Sequence, residues 1–312
     1  MKKIGLLFIL TLHLSCAQNN KKKVTEEMME ISIAPKEKQI TYAVHINAKT
    51  PYELFLDDIP ISSFHESGMN TTIELNPYLL ENGNHELKIK YLPRPDAEDG
   101  LLQPRHVYSS KDSKWNIFFI DFIKNKDKPL GYDGEIDYIN SELEVVPPPQ
   151  AVPFWEQVFP IEVKDLPFEL EGWSNAQDLS KMDEKELKKE VVAFYQELRN
   201  LLNLGKIDQF LEMGNQKDSE IIIATYDEDQ AWYRSEERIN GLRTKCEGNM
   251  LPLEENLNLN LYANGRLVLL NRISPEGKKL SPLVARANGK KYGYQYFLYK
   301  PLGKEKFVII RK

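Results

Sequence analysis

A chain of 312 residues with 41% hydrophobic content can bury more than one core, and its length predicts two domains of ordinary size. A formal net charge of -6 and a pI near 5.6, with no basic stripe carrying interleaved aromatics, argue against nucleic acid as a partner. Two cysteines are present; Cys16 lies in the N-terminal segment and Cys246 then stands alone, so the mature protein is expected to hold no disulfide.

Lys2 and Lys3 precede an apolar run from Ile4 to Leu14 that stops at Ser15-Cys16, and a Lys/Asn tract from Gln18 to Lys23 follows. The run is too short to cross a bilayer as a mature helix, and residues 1–16 read as an export signal. Its ending resembles the lipobox of bacterial lipoproteins, in which the cysteine is acylated and becomes the mature N-terminus, with His13 standing where that pattern usually has Leu. The resemblance implies a palmitate-bearing lipid attachment at Cys16 and a membrane partner held through it. Asn19-Asn20-Lys21-Lys22-Lys23 is basic and no acidic run follows the cysteine, which favours an outer-membrane lipoprotein facing the periplasm. Ser15-Cys16-Ala17 also reads as a small-x-small cleavage site, which would release a soluble periplasmic or secreted protein starting at Gln18.

Residues 17–37 are rich in Lys, Glu and Met without a period, and predict a tether. From Gln39 the pattern becomes that of strands: Ile40, Tyr42, Val44 and Ile46 alternate with Thr41, Ala43 and His45, and Tyr52–Leu56 repeats the alternation. Further strands are expected at Thr71–Leu75 and His85–Tyr91, with a turn at Asn82-Gly83, and at Trp115–Lys124. Gln157–Val163 and Pro167–Trp173 are expected to pair around Lys164-Asp165-Leu166, while Val145–Pro149 reads as a stiff connection at an edge. Strands at this spacing without helices predict a β-sandwich domain over 38–174. Glu74–Leu80 followed by Asn82–Ile89 resembles the last two strands of small bacterial immunoglobulin-like modules.

Beyond Trp173 the period changes to three and four. Ser180 or Asp183 can cap a helix whose face carries Leu187, Val191, Phe194, Leu198, Leu201 and Leu202, with Gly205 at its end. A short helix at Ile207–Met213 and a third from Asp218 to about Arg243, acidic in its middle, are expected next. Strand pairs follow: Leu257–Ala263 with Arg266–Arg272 through Asn264-Gly265, Leu283–Ala287 with Tyr292–Lys300 through Asn288-Gly289, and a last strand at Lys306–Ile310. Helices followed by an antiparallel meander predict an α+β domain over 181–312, so the fold class is all-β plus α+β. The element order, with Leu204–Leu211 joining the first two helices, resembles the NTF2-like cone.

All five histidines lie at positions 13, 45, 65, 85 and 106, so no His–carboxylate dyad can form in 181–312, and their spacing fixes no two imidazoles on one metal. An active cone would need Tyr and carboxylates alone. Tyr195, Tyr226, Trp232, Tyr233, Tyr262 and Tyr296, with Asp227 and Arg286 as polar groups, are the residues that would line its cavity, although such spacing equally describes core aromatics. Asp133-Gly134-Glu135-Ile136-Asp137 with Ser141 and Glu144 has the oxygen spacing of a calcium loop. Tyr138 stands where that loop needs glycine, and prolines stand where its helices should be. Neither a GxSxG elbow nor a Gly-rich phosphate motif occurs. Cys246 is expected to be a small, partly buried loop residue.

No catalytic residue, metal or cofactor is therefore predicted. The expectation is a non-enzymatic cell-envelope binding protein, with a protein partner favoured. Alternatives are a small-molecule binder or enzyme using the C-terminal cone, an immunity protein against a periplasmic toxin, and a glycan-binding accessory protein stacking sugars on Trp115, Trp155 or Trp173.

Overall fold

The computed structural model describes residues 31–311 apart from 49, 66–68, 93–114, 124–141, 147, 150–151 and 276–278. The export signal with Cys16, most of the expected tether, His106 and the carboxylates Asp133, Glu135 and Asp137 lie outside the described residues. From Ile33 onward the chain forms one compact unit. It is mostly β, with fifteen strands in several antiparallel sheets and four α-helices among the described residues. None of these helices is long and apolar enough to cross a membrane.

The first eight strands are β1 (Ile40–Ala48), β2 (Tyr52–Leu56), β3 (Ile59–Phe64), β4 (Met69–Glu74), β5 (Gly83–Tyr91), β6 (Trp115–Ile123), β7 (Glu142–Leu143) and β8 (Trp155–Val163). They make two four-stranded sheets, ordered β4-β1-β6-β7 and β3-β2-β5-β8. Both contribute to one core: Val44, Ile46 and Ile117 come from the first, and Leu54, Leu87, Ile89 and Phe159 from the second. The β2–β3 hairpin, absent from the sequence expectation, turns on Asp57 and Asp58, both left-handed at φ 48° and 65°. Aspartate tolerates that region better than most residues, and the paired positive values match the twist of the flanking strands.

One strand expectation needs correction. Segment Pro167–Trp173 is not a strand, and β8 pairs along its whole length with β5 instead. The segment is pinned as a loop: Leu166 N–H donates to Asn82 Oδ1 at 2.8 Å, and Gly172 is left-handed at φ 49°. A Cβ on Gly172 would stand 2.3 Å from the Leu80 side chain, so any larger residue would have to displace that leucine and accept a left-handed backbone. Asn82-Gly83, for its part, joins strands of different sheets, because Asn76 in the 3-10 turn Asn76–Tyr78 ties the chain leaving β4 to β1. Its Oδ1 accepts from Tyr42 N–H at 2.8 Å, and its Nδ2 donates to Ile40 O at 2.9 Å.

The helices are α1 (Glu184–Asn203), α2 (Ile207–Glu212), α3 (Asn215–Thr225) and α4 (Glu236–Cys246). Asp183 caps α1, accepting from Lys185 N–H and Glu186 N–H, and the stripe Leu187, Val191, Tyr195, Leu198, Leu202 is buried. The expected third helix is broken. Tyr226 is left-handed at φ 55°, Asp227 Oδ1 takes Asp229 N–H at 2.9 Å, and a 3-10 turn at Gln230–Arg234 precedes α4, which Ser235 caps. The short acidic side chains bond their own backbone in competition with the helix. Cys246 is the last residue of α4 and fully buried, not a loop residue, and its thiol donates to Tyr294 Oη at 3.3 Å.

The remaining strands are β9 (Leu257–Tyr262), β10 (Leu267–Ile273), β11 (Lys279–Leu280), β12 (Leu283–Ala287), β13 (Lys290–Tyr294), β14 (Phe297–Tyr299) and β15 (Val308–Arg311). β12 and β13 form a separate two-stranded ribbon, and the other five make one sheet. The expected continuous strand Tyr292–Lys300 divides between them. Tyr195 on α1 causes the break: its hydroxyl donates to Tyr296 O at 2.5 Å and accepts Tyr296 N–H at 3.3 Å, replacing the ladder bonds of that residue. One side of the five-stranded sheet packs on the helices through Val268, Leu270, Leu298 and Ile309. Its other side, with Tyr262, Leu267, Phe297 and Ile310, packs on Ile59 of β3 and on Trp173 and Ala176 of the connecting loop.

Candidate functional site

α3 carries two buried carboxylates, Asp218 and Glu220, the first paired with three cations and the second with one. Glu220 Oε2 accepts from Arg311 Nη1 at 2.8 Å, and its Oε1 accepts from Gly172 N–H at 3.0 Å and Gln216 Nε2 at 2.9 Å. Arg311, 1% exposed, also donates through Nε to Pro77 O at 2.5 Å and lies 5.1 Å from the Trp173 ring centroid. This node joins the first sheets, the connecting loop, α3 and β15. Arg311 Nε and Nη1 and both Glu220 oxygens are bonded, while Arg311 Nη2 is buried without a hydrogen-bond partner among the described residues; the ion pair acts as a structural clamp between these elements.

Asp218, 3% exposed, is the centre of a different arrangement. Its Oδ1 accepts from Lys217 Nζ at 2.6 Å, and its Oδ2 from Arg234 Nη1 at 3.0 Å and Arg238 Nη1 at 2.9 Å. The same two arginine nitrogens donate to Tyr233 O at 2.9 and 2.7 Å. Arg234 Nη2 further donates to Leu211 O at 3.3 Å and to Asn215 Oδ1. One carboxylate thus holds three cations, and the surplus positive field is visible in both partners. Burial pushes the Asp218 carboxyl up, but hydrogen bonds and charge from Arg238 and Lys217 outweigh it and hold the group below its ordinary value. Lys217 is pushed down by burial first; Asp218 opposes the shift, while the charges of Arg238 and Arg311 add to it.

Upon this ionic base stands an aromatic platform. The Arg238 guanidinium lies 5.1 Å from the Trp232 ring centroid and 5.3 Å from that of Tyr233, and the two rings meet edge to face at 5.4 Å and 88°. Tyr233 is buried, and its hydroxyl donates to Asp227 Oδ2 at 3.2 Å. Burial and the Asp227 charge push that phenol up to about 12, so it stays a neutral donor. Trp232 is 44% exposed. The indole thus contacts an arginine that is itself fixed on a buried carboxylate, and presents part of its surface to solvent.

The structure brings Trp232 and Tyr233 together here, and Tyr195 and Tyr296 together inside the packing between helices and sheet. Burial pushes the phenols of Tyr195 and Tyr296 upward. Tyr226 faces β1, donating to Ile40 O at 2.6 Å and accepting from Asn76 Nδ2 at 3.3 Å. Tyr262 lies on the opposite side of the five-stranded sheet against Phe297, where Lys279 Nζ donates to its hydroxyl at 3.0 Å. Arg286 is exposed on β12. Trp115 and Trp173 are core residues, the former stacked on Tyr91 at 4.3 Å, and Trp155 is half-buried with its indole N–H on Val146 O at 3.0 Å. Among the described residues no group of three His, Cys, Asp or Glu converges as a metal site. An open depression of about 560 Å³ beside Glu81, Asn82 and Leu166–Glu169 offers little, since Asn82 is already bonded at both ends to Leu166.

Lys217, Asp218, Arg234 and Arg238 escaped the sequence reading. Their signal is Arg234 and Arg238 at a four-residue spacing, like charges that would share a face of the expected helix over 218–243 and repel there unless an acid met them. No protein-family model, curated protein or solved structure matches the chain.

Proposed function

We propose that the protein is an exported, lipid-anchored, non-enzymatic binding protein of the cell envelope that engages a protein partner through the face bearing Trp232. The address rests on the N-terminal sequence: Lys2-Lys3, the short apolar run and Ser15-Cys16. The observation that carries the binding role is the pre-organised Trp232 platform. Binding energy at protein interfaces concentrates in a few Trp, Tyr and Arg residues, and a side chain already immobilised loses less entropy on association. In this reading the two four-stranded sheets are the leaves of a sandwich over 38–174, and residues 181–312 are an α+β domain of NTF2-like type, the whole held at the outer membrane and facing the periplasm.

The test is capture from envelope extracts with the chain from Lys21 onward, in parallel with its Trp232→Ala form. A partner retained by the parent and lost from the variant, with the melting temperature unchanged, is expected. Equal capture by both would sink the assignment. Labelled palmitate should enter the full chain and not the Cys16→Ala form; label that persists in the variant rules out the anchor.

A further inference from the structure

The whole-chain charge conceals a division. Of 41 Lys/Arg and 47 Asp/Glu, twelve and two lie from Asn256 onward, which leaves 29 and 45 in the first 255 residues. An acidic protein therefore ends in a strongly basic segment. Among the described residues, the ion pairs of this segment are Arg272 with Glu254 at 2.5 Å, Lys300 with Glu190 at 2.8 Å, and Arg311 with Glu220. Arg286, Lys290 and Lys291 are exposed on the β12–β13 ribbon, and among the described residues no carboxylate forms an ion pair with them.

Their register is the informative part. Arg286 stands directly opposite Lys291, and Ala287 opposite Lys290, on either side of the Asn288-Gly289 turn. Directly opposed residues share a face, so Arg286 and Lys291 repel at close range, and Lys290 places a further cation on the other face. On that second face Lys245 of α4 lies 5.3 Å from the ring centroid of Tyr292. Lysines on an edge strand commonly block unwanted pairing, which accounts for Lys290 and Lys291 on β13. That reason does not extend to Arg286. The outer side of β12 is already covered by backbone, with Leu251 N–H on Val284 O at 2.8 Å and Arg286 N–H on Asn249 O at 3.0 Å. A tip that carries cations on both faces, in mutual repulsion, gains from an external anion on either side.

We infer that the β12–β13 ribbon docks on anionic phospholipid headgroups. The choice of a membrane over other polyanions rests on the proposed anchor, which would hold the protein at such a surface. A basic patch on a protein held at the membrane by its lipid adds an electrostatic attachment to the same surface. Tyr292 beside Lys245 suits an interface, where an apolar ring and a charged tip meet different media.

The experiment is co-sedimentation of the chain from Lys21 onward, which keeps the whole compact unit, with vesicles of phosphatidylcholine alone or mixed with phosphatidylglycerol. The protein is expected to pellet with the mixed vesicles at low salt, to be released by high salt, and to stay in solution with phosphatidylcholine. Each cation near an anionic surface is worth roughly a fivefold change in partition, so joint Arg286→Gln, Lys290→Gln and Lys291→Gln substitution should weaken pelleting about a hundredfold. Lys291→Glu alone sets an acid opposite Arg286; it should raise the melting temperature while weakening pelleting roughly thirtyfold, so loss of binding cannot be put down to unfolding. Joint Arg266→Gln, Lys304→Gln and Lys306→Gln substitution, which removes as much charge outside the ribbon, should keep most of the binding. Failure to pellet with the mixed vesicles, or equal pelleting by the ribbon variants, would overturn the inference. Retention on immobilised heparin without vesicle binding would overturn it in favour of an acidic polymer. Because this form lacks Cys16, failure here leaves the anchor standing, and failure of palmitate labelling leaves the ribbon result standing.

Discussion

Single residues carry unequal weight, and burial decides which. Arg311 and Glu220 are paired out of water, so removing one partner strands a charge, whereas removing both exchanges an ion pair for packing. Arg311→Met is expected to cost about 3–5 kcal/mol in urea unfolding, and adding Glu220→Met should recover part of it, the remainder reflecting the Gly172 N–H left without its acceptor. A second variant no better than the first would show that the clamp acts through shape alone. His85 gives a pH signature of definite sign. Burial pushes its imidazole down, but the hydrogen bond and charge of Asp57, 2.7 Å from Nδ1, outweigh it and hold the ring above its ordinary value of 6.5. A raised value means stability fully present below 6.5 and lost as pH rises through the folded value, so the melting temperature should fall over that window. His85→Gln should flatten the fall; an unchanged profile would count against the pair. Asp218 has the opposite sign: its stabilisation is complete above the ordinary 3.8 and is lost as pH falls through the depressed folded value.

At the scale of elements, local chemistry and distant contacts divide the control. α1 was legible because its stripe and its Asp183 cap are both local, and Asp183→Ala should cost about 1 kcal/mol, measured as a shift in the urea midpoint. No shift would mean that packing alone sets the start of the helix. The Asn264-Gly265 and Asn288-Gly289 turns were equally readable, since each asks for positive φ at residues that allow it. Other features were not local. The end of β13 depends on a tyrosine about a hundred residues away on α1, and the irregular path of 167–173 depends on Asn82 and Leu80. Periodicity reports which face is apolar, not which backbone groups a remote side chain will occupy. The same limit hid the Asp218 cluster: its aromatics could be named from the sequence, but two of its cations, Arg234 and Arg238, lie 16 and 20 residues along the chain and meet the acid only in the fold. Asp218→Asn should loosen that cluster, seen as faster quenching of tryptophan fluorescence by iodide; quenching like the parent's would show that Trp232 is held by the aromatic contacts alone.

For the whole molecule, the connecting loop, β3 and the five-stranded sheet share one apolar cluster, and the Arg311 clamp and Asn76 cross the same seam. The halves predicted as separate domains should therefore unfold together, and a single calorimetric transition is expected, with two resolved transitions as the contrary result. The charge division also belongs to this scale, since the net value of -6 hides a basic C-terminal segment that becomes meaningful only when the ribbon displays it. On the proposed reading, the exposed Trp232 platform meets a protein partner in the envelope. The most direct measurement is site-specific photocrosslinking in living cells, with a photoreactive side chain at position 232 of the full chain and, as control, at the still more exposed Leu302. A discrete crosslinked protein from position 232 and none from 302 is the predicted result; no product from 232, or the same product from both, would contradict the account.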